Sequence, residues 1–402
     1  MINIEEAMAI LRNVSPLGVE RKSLEEALGH ALSKNVLADR DLPPADRSAM
    51  DGYALRFLDM STVPCELKLV GEVVAGSDNR PSVPPGTCVR IMTGGNIPPG
   101  ADTVVMVEKT MENDEMVQFK SSAVQGEHII RKAEYARCGE VLLEKGVLLG
   151  PLQLGVCAAV GHAEVQVYRR PGIAIICTGG ELRNTESVVG SHELRDSNGP
   201  ALRGALAILG YPVIEQRIVR NSLEALISEL TRVAAMADVV LLTGGVSKGK
   251  FDFVRKAVES LGATILFHGV MMKPGKPLLC ATLPGNKMIF GLPGTPMSAM
   301  TGFYEFVLPT LRKLSGIPSA DVRLSQYLWT TLPIKTKGGR THFILARLEH
   351  RKTGLYVEPI KSRGSSDFVA GGRSDGVIVV PPDVREVEAG SIVEFRSWQP
   401  HF

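Results

Sequence analysis

The sequence is poor in features that mark a specialised environment. Its six cysteines, Cys65, Cys88, Cys138, Cys157, Cys177 and Cys280, are widely scattered and form no CxxC pair, so no structural zinc site or disulfide framework is expected. The longest uncharged run, Gly146 to Ala163, is broken by Pro151 and four glycines, which argues against a bilayer-spanning helix. The first ten residues carry two acids and no basic region, unlike a secretory signal. A cytoplasmic, reduced protein is therefore expected. Charge of one sign is not in excess: 45 Lys plus Arg stand against 43 Asp plus Glu, a net charge of +2, which gives no reason to expect a nucleic-acid partner. HExxH and nucleophile-elbow motifs are absent, and there is no repeat or low-complexity tract.

What is present is an ordinary globular composition, 44% hydrophobic and 22% charged. At 402 residues the chain is long enough for two or three domains, and its 41 glycines and 25 prolines point to many tight turns. Residues 1–40 read as helical, with Ser23 and Glu26 spaced as a capping box and Gly29 as a stop. From about 45 to 145 short β-type runs alternate with Pro/Gly turns, which suggests a small all-β domain. Residues 146–170 carry a helix near 151–159 and then a strand, and are expected to rejoin the N-terminal segment. Residues 171–316 alternate apolar strands (such as Ile173–Cys177 and Val239–Thr243) with helical stretches, the pattern of a mostly parallel sheet covered on both faces. The rest returns to short strands, a small barrel or sandwich.

This gives an expected architecture of α/β plus β type. A discontinuous helical arm (1–44 and 145–170) carries a small β domain (45–144). A doubly wound, mostly parallel α/β domain (171–318) and a C-terminal β domain (319–402) follow.

In an open α/β sheet, ligands sit beyond the carboxyl ends of the strands. The segments expected there are Thr178-Gly179-Gly180-Glu181, Arg195-Asp196-Ser197-Asn198, Thr243-Gly244-Gly245-Val246-Ser247, Lys273-Pro274-Gly275-Lys276 and Leu292-Pro293-Gly294-Thr295-Pro296-Met297-Ser298. Glycines allow close backbone approach, helix starts offer free N–H groups, and the two lysines add positive charge. Each segment alone also reads as an ordinary turn or helix start; together they favour a phosphate-bearing or other oxyanionic ligand. Gly244 to Lys250 has P-loop spacing, but Phe251 stands where a Mg²⁺-holding Ser or Thr belongs. Asp51, between apolar residues and before Gly52, is a turn former or a placed acid, and Glu108 reads the same way.

Arg47-Ser48-Ala49-Met50-Asp51-Gly52-Tyr53-Ala54 resembles the N-terminal signature of the molybdopterin molybdenumtransferases, the MoeA and gephyrin E-domain type. Arg90 to Gly95, Pro99 to Met106, Arg195 to Asn198, Thr243 to Ser247, Met272 to Pro277 and Gly291 to Gly294 resemble further signatures of that family, in the same order. The resemblance runs from about residue 3 to residue 396. It implies a four-domain homodimer that takes adenylylated molybdopterin, inserts molybdate into the dithiolene and releases AMP with Mg²⁺, with other cofactor-biosynthesis proteins as further partners. It also implies that Asp51, Asp102 and Glu108 are catalytic acids. Thr93, Thr178, Glu181, Ser197, Gly244, Gly245, Ser247, Lys273, Lys276, Pro293 and Ser298 would bind substrate, and Asp196 and Asp252 would hold the metal. The sequence departs from the family pattern at Gly180, Asn221-Ser222, Lys250 and Thr295, where acidic or amide residues are usual, so weak Mg²⁺ dependence is expected. The alternative is a non-catalytic paralogue that binds a molybdopterin-type ligand or a protein partner.

Overall fold

The computed structural model describes residues 1–245, 253–318 and 325–398, which fall into two compact units. One comprises Lys34–Lys145 with Pro151–Val165; the other comprises Met1–Ser33, Gly146–Gly150 and everything from Gln166 onward.

The smaller unit is built on a six-stranded sheet in the order Thr103–Met106, Gly52–Leu55, Thr87–Ile91, Cys65–Val73, Met116–Phe119, Thr110–Asn113. Strand alternation sends Tyr53 and Leu55 to one apolar cluster with Val105 and Phe119. It sends Ala54 to a second cluster with Val89, Ile91 and Val104. Both faces of Gly52–Leu55 are therefore buried, which its short sequence does not advertise. Gly52 is required there: a Cβ would fall well inside 3.0 Å of the Val105 carbonyl.

The larger unit contains the α/β sheet, ordered Val213–Val219, Ile173–Thr178, Val239–Thr243, Lys287–Leu292, Leu279–Leu283, Thr264–His268. The first four strands are parallel, Leu279–Leu283 runs antiparallel to them, and Thr264–His268 pairs antiparallel with Leu279–Leu283. Every residue of Ile173–Thr178 and Val239–Thr243 is buried, as unbroken β-branched and leucine runs require when helices cover both faces. On one face Ile173, Ile175 and Cys177 pack with Leu202, Leu206, Met8 and Phe303. On the other, Ala174 and Ile176 pack with Leu226, Leu230 and Val254. The helices involved are Ile4–Arg12, Asn198–Ile208, Leu223–Met236, Phe253–Ser260 and Pro296–Gly302.

The C-terminal strands close into a barrel. Thr341–Arg351 pairs with Gly354–Pro359, which pairs with Ser325–Thr330, then Ile392–Ser397, then Gly376–Val380, which returns to Thr341–Arg351. Of the two forms expected, barrel or sandwich, it is the barrel. Its interior holds Leu328, Ala346, Val357, Ile378, Val380 and Phe395.

Residues 1–40 are less helical than their composition suggests. Only Ile4–Arg12 and Leu24–Ala27 are helix, while Val19–Ser23 is strand. The reciprocal capping box is formed by Asn3 and Glu6, each side chain bonding the other's backbone N–H at 2.8 Å. Ser23 Oγ accepts from the Glu26 N–H at 3.3 Å, and Gly29 turns the chain with φ +71°.

Candidate functional site

The chain leaves strand Ile173–Thr178 for the neighbour on one side, Val213–Val219, and then crosses to the other side at Val239–Thr243. The carboxyl end of Ile173–Thr178 is thus a topological switch point, where diverging connections open a crevice. A cleft of about 1710 Å³ lies at this point in the larger unit.

Its floor is made by backbone in close approach. Gly244 and Gly245 follow Thr243 with φ +91° and +65°. A Cβ on Gly244 would strike the Thr178 carbonyl, and one on Gly294 would lie 3.3 Å from Gly244 Cα. The Gly244 N–H donates to the Leu292 carbonyl at 3.1 Å, tying the two strand-end turns together. Asn198 Nδ2 donates to the Gly294 carbonyl at 2.8 Å and anchors the start of helix Asn198–Ile208 to the same turn. Thr295 Oγ1 donates to Ser298 Oγ at 2.8 Å at the start of helix Pro296–Gly302.

The walls carry charge. Lys273 and Lys276 are exposed on the turn around Gly275, whose φ is +103°. Strand Met272–Lys273 pairs in parallel with Thr341–His342 at the start of the long barrel strand. That pairing brings Lys335, Lys337, Arg340 and His342 of the C-terminal segment into the lining.

Thr178, Glu181, Asp196, Ser197, Gly244, Gly245, Lys273, Lys276, Pro293 and Ser298 all line this cleft, as do Asn221 and Thr295. Ser247, Lys250 and Asp252, with the rest of the P-loop-like segment beyond Gly245, lie outside the described residues. Asp51, Thr93, Asp102 and Glu108 belong to the smaller unit. There Asp51 Oδ1 accepts from the Thr93 N–H at 2.6 Å and the Thr93 hydroxyl at 2.8 Å, which hold its carboxyl below the usual range. For Asp102 burial acts to raise the pKa. The Phe57 N–H at 2.6 Å, Gln125 at 3.0 Å and the Thr103 hydroxyl at 3.2 Å outweigh it and leave the carboxyl lowered. Glu108 is exposed on the turn Val107–Lys109.

Asp196 is almost wholly buried, and Oδ1 accepts the Gly199 N–H at 3.0 Å. Its carboxylate also hydrogen-bonds the Cys177 thiol, whose pKa is pushed up to about 12, chiefly by burial and then by this charge. Its Oδ1 is thus occupied by protein. Among the described residues no group of three or more His, Cys, Asp or Glu is placed to hold a metal ion. The residues described do not fit a Mg²⁺ cage of their own.

Three buried polar atoms in the cleft lining have no hydrogen-bond partner: Thr178 Oγ1, Asn198 Oδ1 and His342 Nε2. Their residues are 5%, 8% and 4% exposed. Buried polar groups are normally paired, and an orphan costs about 1–3 kcal/mol, so these atoms are open to pairing with a ligand. Sequence reasoning missed His342. A single His inside a β-rich run carries no signal, and only the pairing of Thr341–His342 with Met272–Lys273 brings it here.

Comparison with known proteins follows the same layout. Residues 2–161 match the MoeA N-terminal region (domain I and II), 174–313 a "Probable molybdopterin binding domain", and 329–398 the MoeA C-terminal region (domain IV). A molybdopterin molybdenumtransferase of Staphylococcus aureus (strain COL) is 32% identical over 399 residues, covering 98% of this chain and 94% of that protein. One from Staphylococcus epidermidis is 32% identical over 403 residues, with the same coverages. The crystal structure of the molybdopterin biosynthesis MoeA protein of Pyrococcus horikoshii OT3 superposes with a TM-score of 0.84 at 27% identity, covering 99% of this chain and 100% of that one. The chain therefore belongs to the MoeA family of molybdopterin molybdenumtransferases.

Proposed function

We propose that the cleft binds adenylylated molybdopterin and that the protein inserts molybdate into its dithiolene with release of AMP. The chain is a molybdopterin molybdenumtransferase, an enzyme of molybdenum cofactor biosynthesis. The observation that carries the substrate assignment is the glycine-lined, lysine-walled cleft at the switch point, formed largely within the segment that matches the molybdopterin-binding domain. The Gly244 and Gly294 turns let the substrate approach the backbone, while Lys273 and Lys276 offset phosphate charge, including charge developing on the departing AMP. Ser298 and Ser197 supply hydroxyls. Glu181 and Thr178 border the same space.

On the smaller unit, Asp51, set by Thr93, and the exposed Glu108 are the proposed acids for proton and charge management during molybdate handling. Asp102, already engaged by Phe57, Thr103 and Gln125, would act by holding its loop. Mg²⁺ would enter with the substrate's phosphates and neutralise their charge, with Asp252 the remaining candidate carboxylate, since the buried Asp196 is already engaged by the Gly199 N–H. The remaining proposals are a four-domain organisation (1–44 with 145–170, 45–144, 171–318 and 319–402), a homodimer, contact with other cofactor-biosynthesis proteins, and a cytoplasmic location. Among the described residues no helix is long and apolar enough to cross a membrane. The comparisons give no support to a non-catalytic paralogue.

The test is to incubate the purified protein with adenylylated molybdopterin, molybdate and Mg²⁺ and to follow AMP. Catalytic AMP release is expected; binding without release refutes the reading. Light scattering is expected to give a dimer mass, and a monomer at micromolar concentration refutes the homodimer.

A further inference from the structure

The C-terminal barrel contributes one polar atom to the cleft that the phosphate-binding reading does not use. His342 is 4% exposed, and its Nε2 is buried without a partner. The Gly338 backbone beside the ring acts in the sense that favours its protonated form. In the neutral ring with its proton on Nδ1, Nε2 is an acceptor. Burial lowers the His342 pKa, and Lys273 and Arg340 act in the same direction. Lys273 lies across the strand pairing and Arg340 is two residues upstream. Lys335, Lys337, Glu181 and Asp196 are further charged groups of the same cleft.

Asn198 Oδ1 repeats the pattern. Its amide nitrogen is fixed on the Gly294 carbonyl, so the orphan atom is an acceptor. The orphan Thr178 hydroxyl can accept as well. A lined cavity with buried acceptors and peripheral cations is complementary to a ligand with N–H donors at one end and phosphate at the other.

We propose that His342 is a specificity-determining residue whose Nε2 accepts a hydrogen bond from an N–H group on the heterocyclic base of the bound substrate. This rests on the transferase reading of the cleft. Two bases of that substrate carry such groups, the pterin and the adenine, and both present the same chemistry to His342.

The experiment is isothermal titration of the full chain with AMP, neopterin monophosphate and inorganic phosphate as probes. It uses the wild type, His342→Phe, which removes the acceptor, and His342→Gln, which can return a carbonyl oxygen near the same place. For the base that is read, His342→Phe is expected to weaken binding about ten- to thirtyfold and His342→Gln by less than about threefold, with inorganic phosphate unchanged. Loss confined to AMP assigns the adenine; loss confined to neopterin monophosphate assigns the pterin. Lowering the pH from about 8 to about 5.5 should weaken the wild type towards that base, because protonation turns Nε2 into a donor, while the Gln variant lacks this component. Nitrogen-15 NMR of the wild-type ring, which needs no variant to fold, should show Nε2 still unprotonated in the complex at pH 7.5. Tighter binding at low pH with proton uptake, or a parallel loss of inorganic phosphate, makes His342 an oxyanion ligand and overturns the inference. Unchanged binding in a folded Phe variant makes it a packing residue and also overturns it. If neither AMP nor neopterin monophosphate binds the wild type, the transferase reading of the cleft fails, and this inference with it.

Discussion

Gly244→Ala tests how the cleft floor is built. At φ +91° an L-residue is strained, by roughly 1–2 kcal/mol. The new methyl would also lie well inside 3.0 Å of the Thr178 carbonyl, a separation real Cβ atoms essentially never show, and here the obstacle is backbone. Relief requires the Gly244 turn to move away from Thr178, which pulls on its N–H bond to Leu292 at 3.1 Å. Overpacking of this kind adds roughly 1–3 kcal/mol. A total near 3 kcal/mol should lower the melting temperature by about 6–12 °C for a domain of this size. Gly180→Ala is the matched control. Gly180 is exposed, its φ lies outside the left-handed region, and a Cβ there meets nothing within 4 Å. It should move the melting temperature by less than about 2 °C. Differential scanning calorimetry of both variants, with AMP affinity alongside, reads the difference. If Gly244→Ala melts with the wild type and binds AMP equally well, the close approach of the two strand-end turns is not a constraint, and the account of the floor is wrong.

Lys276→Ala should weaken AMP binding by about 1.5–3 kcal/mol, read by titration calorimetry, with the melting temperature unchanged because the side chain is exposed on its turn. Burial acts to raise the Asp238 pKa, but Arg169 at 2.7 and 2.8 Å and the Gly172 N–H at 2.8 Å outweigh it, so the carboxyl is held below its ordinary value. Its stabilising contribution is therefore complete above the unfolded value of about 3.9 and is lost as pH falls through the lower folded value. Asp238→Asn should flatten the stability–pH curve below about pH 4 in urea titrations, and an unchanged acid limb would refute the pairing. A Cβ at Gly180 meets nothing within 4 Å, so Gly180→Asp is sterically tolerated at its root. Combined with Lys250→Glu, it should lower the Mg²⁺ concentration needed for AMP release. Full turnover at ordinary Mg²⁺ in the unmodified protein would show that those departures from the family pattern are neutral.

The α/β region was the most legible part of the sequence. Val239–Thr243 and Thr264–His268 are uniform apolar or β-branched runs ended by Thr-Gly-Gly and His-Gly, and their boundaries match the structure. Gly52–Leu55 was harder, because four buried residues on two faces show no alternation, and the segment reads first as a motif. Val19–Ser23 misled because Glu, Arg and Lys are good helix formers, and local propensity yields to strand pairing. Within the cleft, Gly244, Lys273 and Ser298 were legible because glycine pairs, the lysine turn and helix starts all sit beside strand ends. His342 was not, since its place depends on a strand pairing about 70 residues away in sequence, which no local pattern encodes.

The central claim is catalysis rather than binding, and the stoichiometry of the reaction tests it most directly. Adenylylated molybdopterin, molybdate and Mg²⁺ are incubated with the protein, AMP is followed by chromatography, and molybdenum in the isolated cofactor by mass spectrometry. The account predicts AMP release that depends on molybdate, over many turnovers, with one molybdenum gained for each AMP formed. Substrate retained tightly with no AMP formed, or AMP formed at the same rate without molybdate and with no molybdenum in the cofactor, would contradict it.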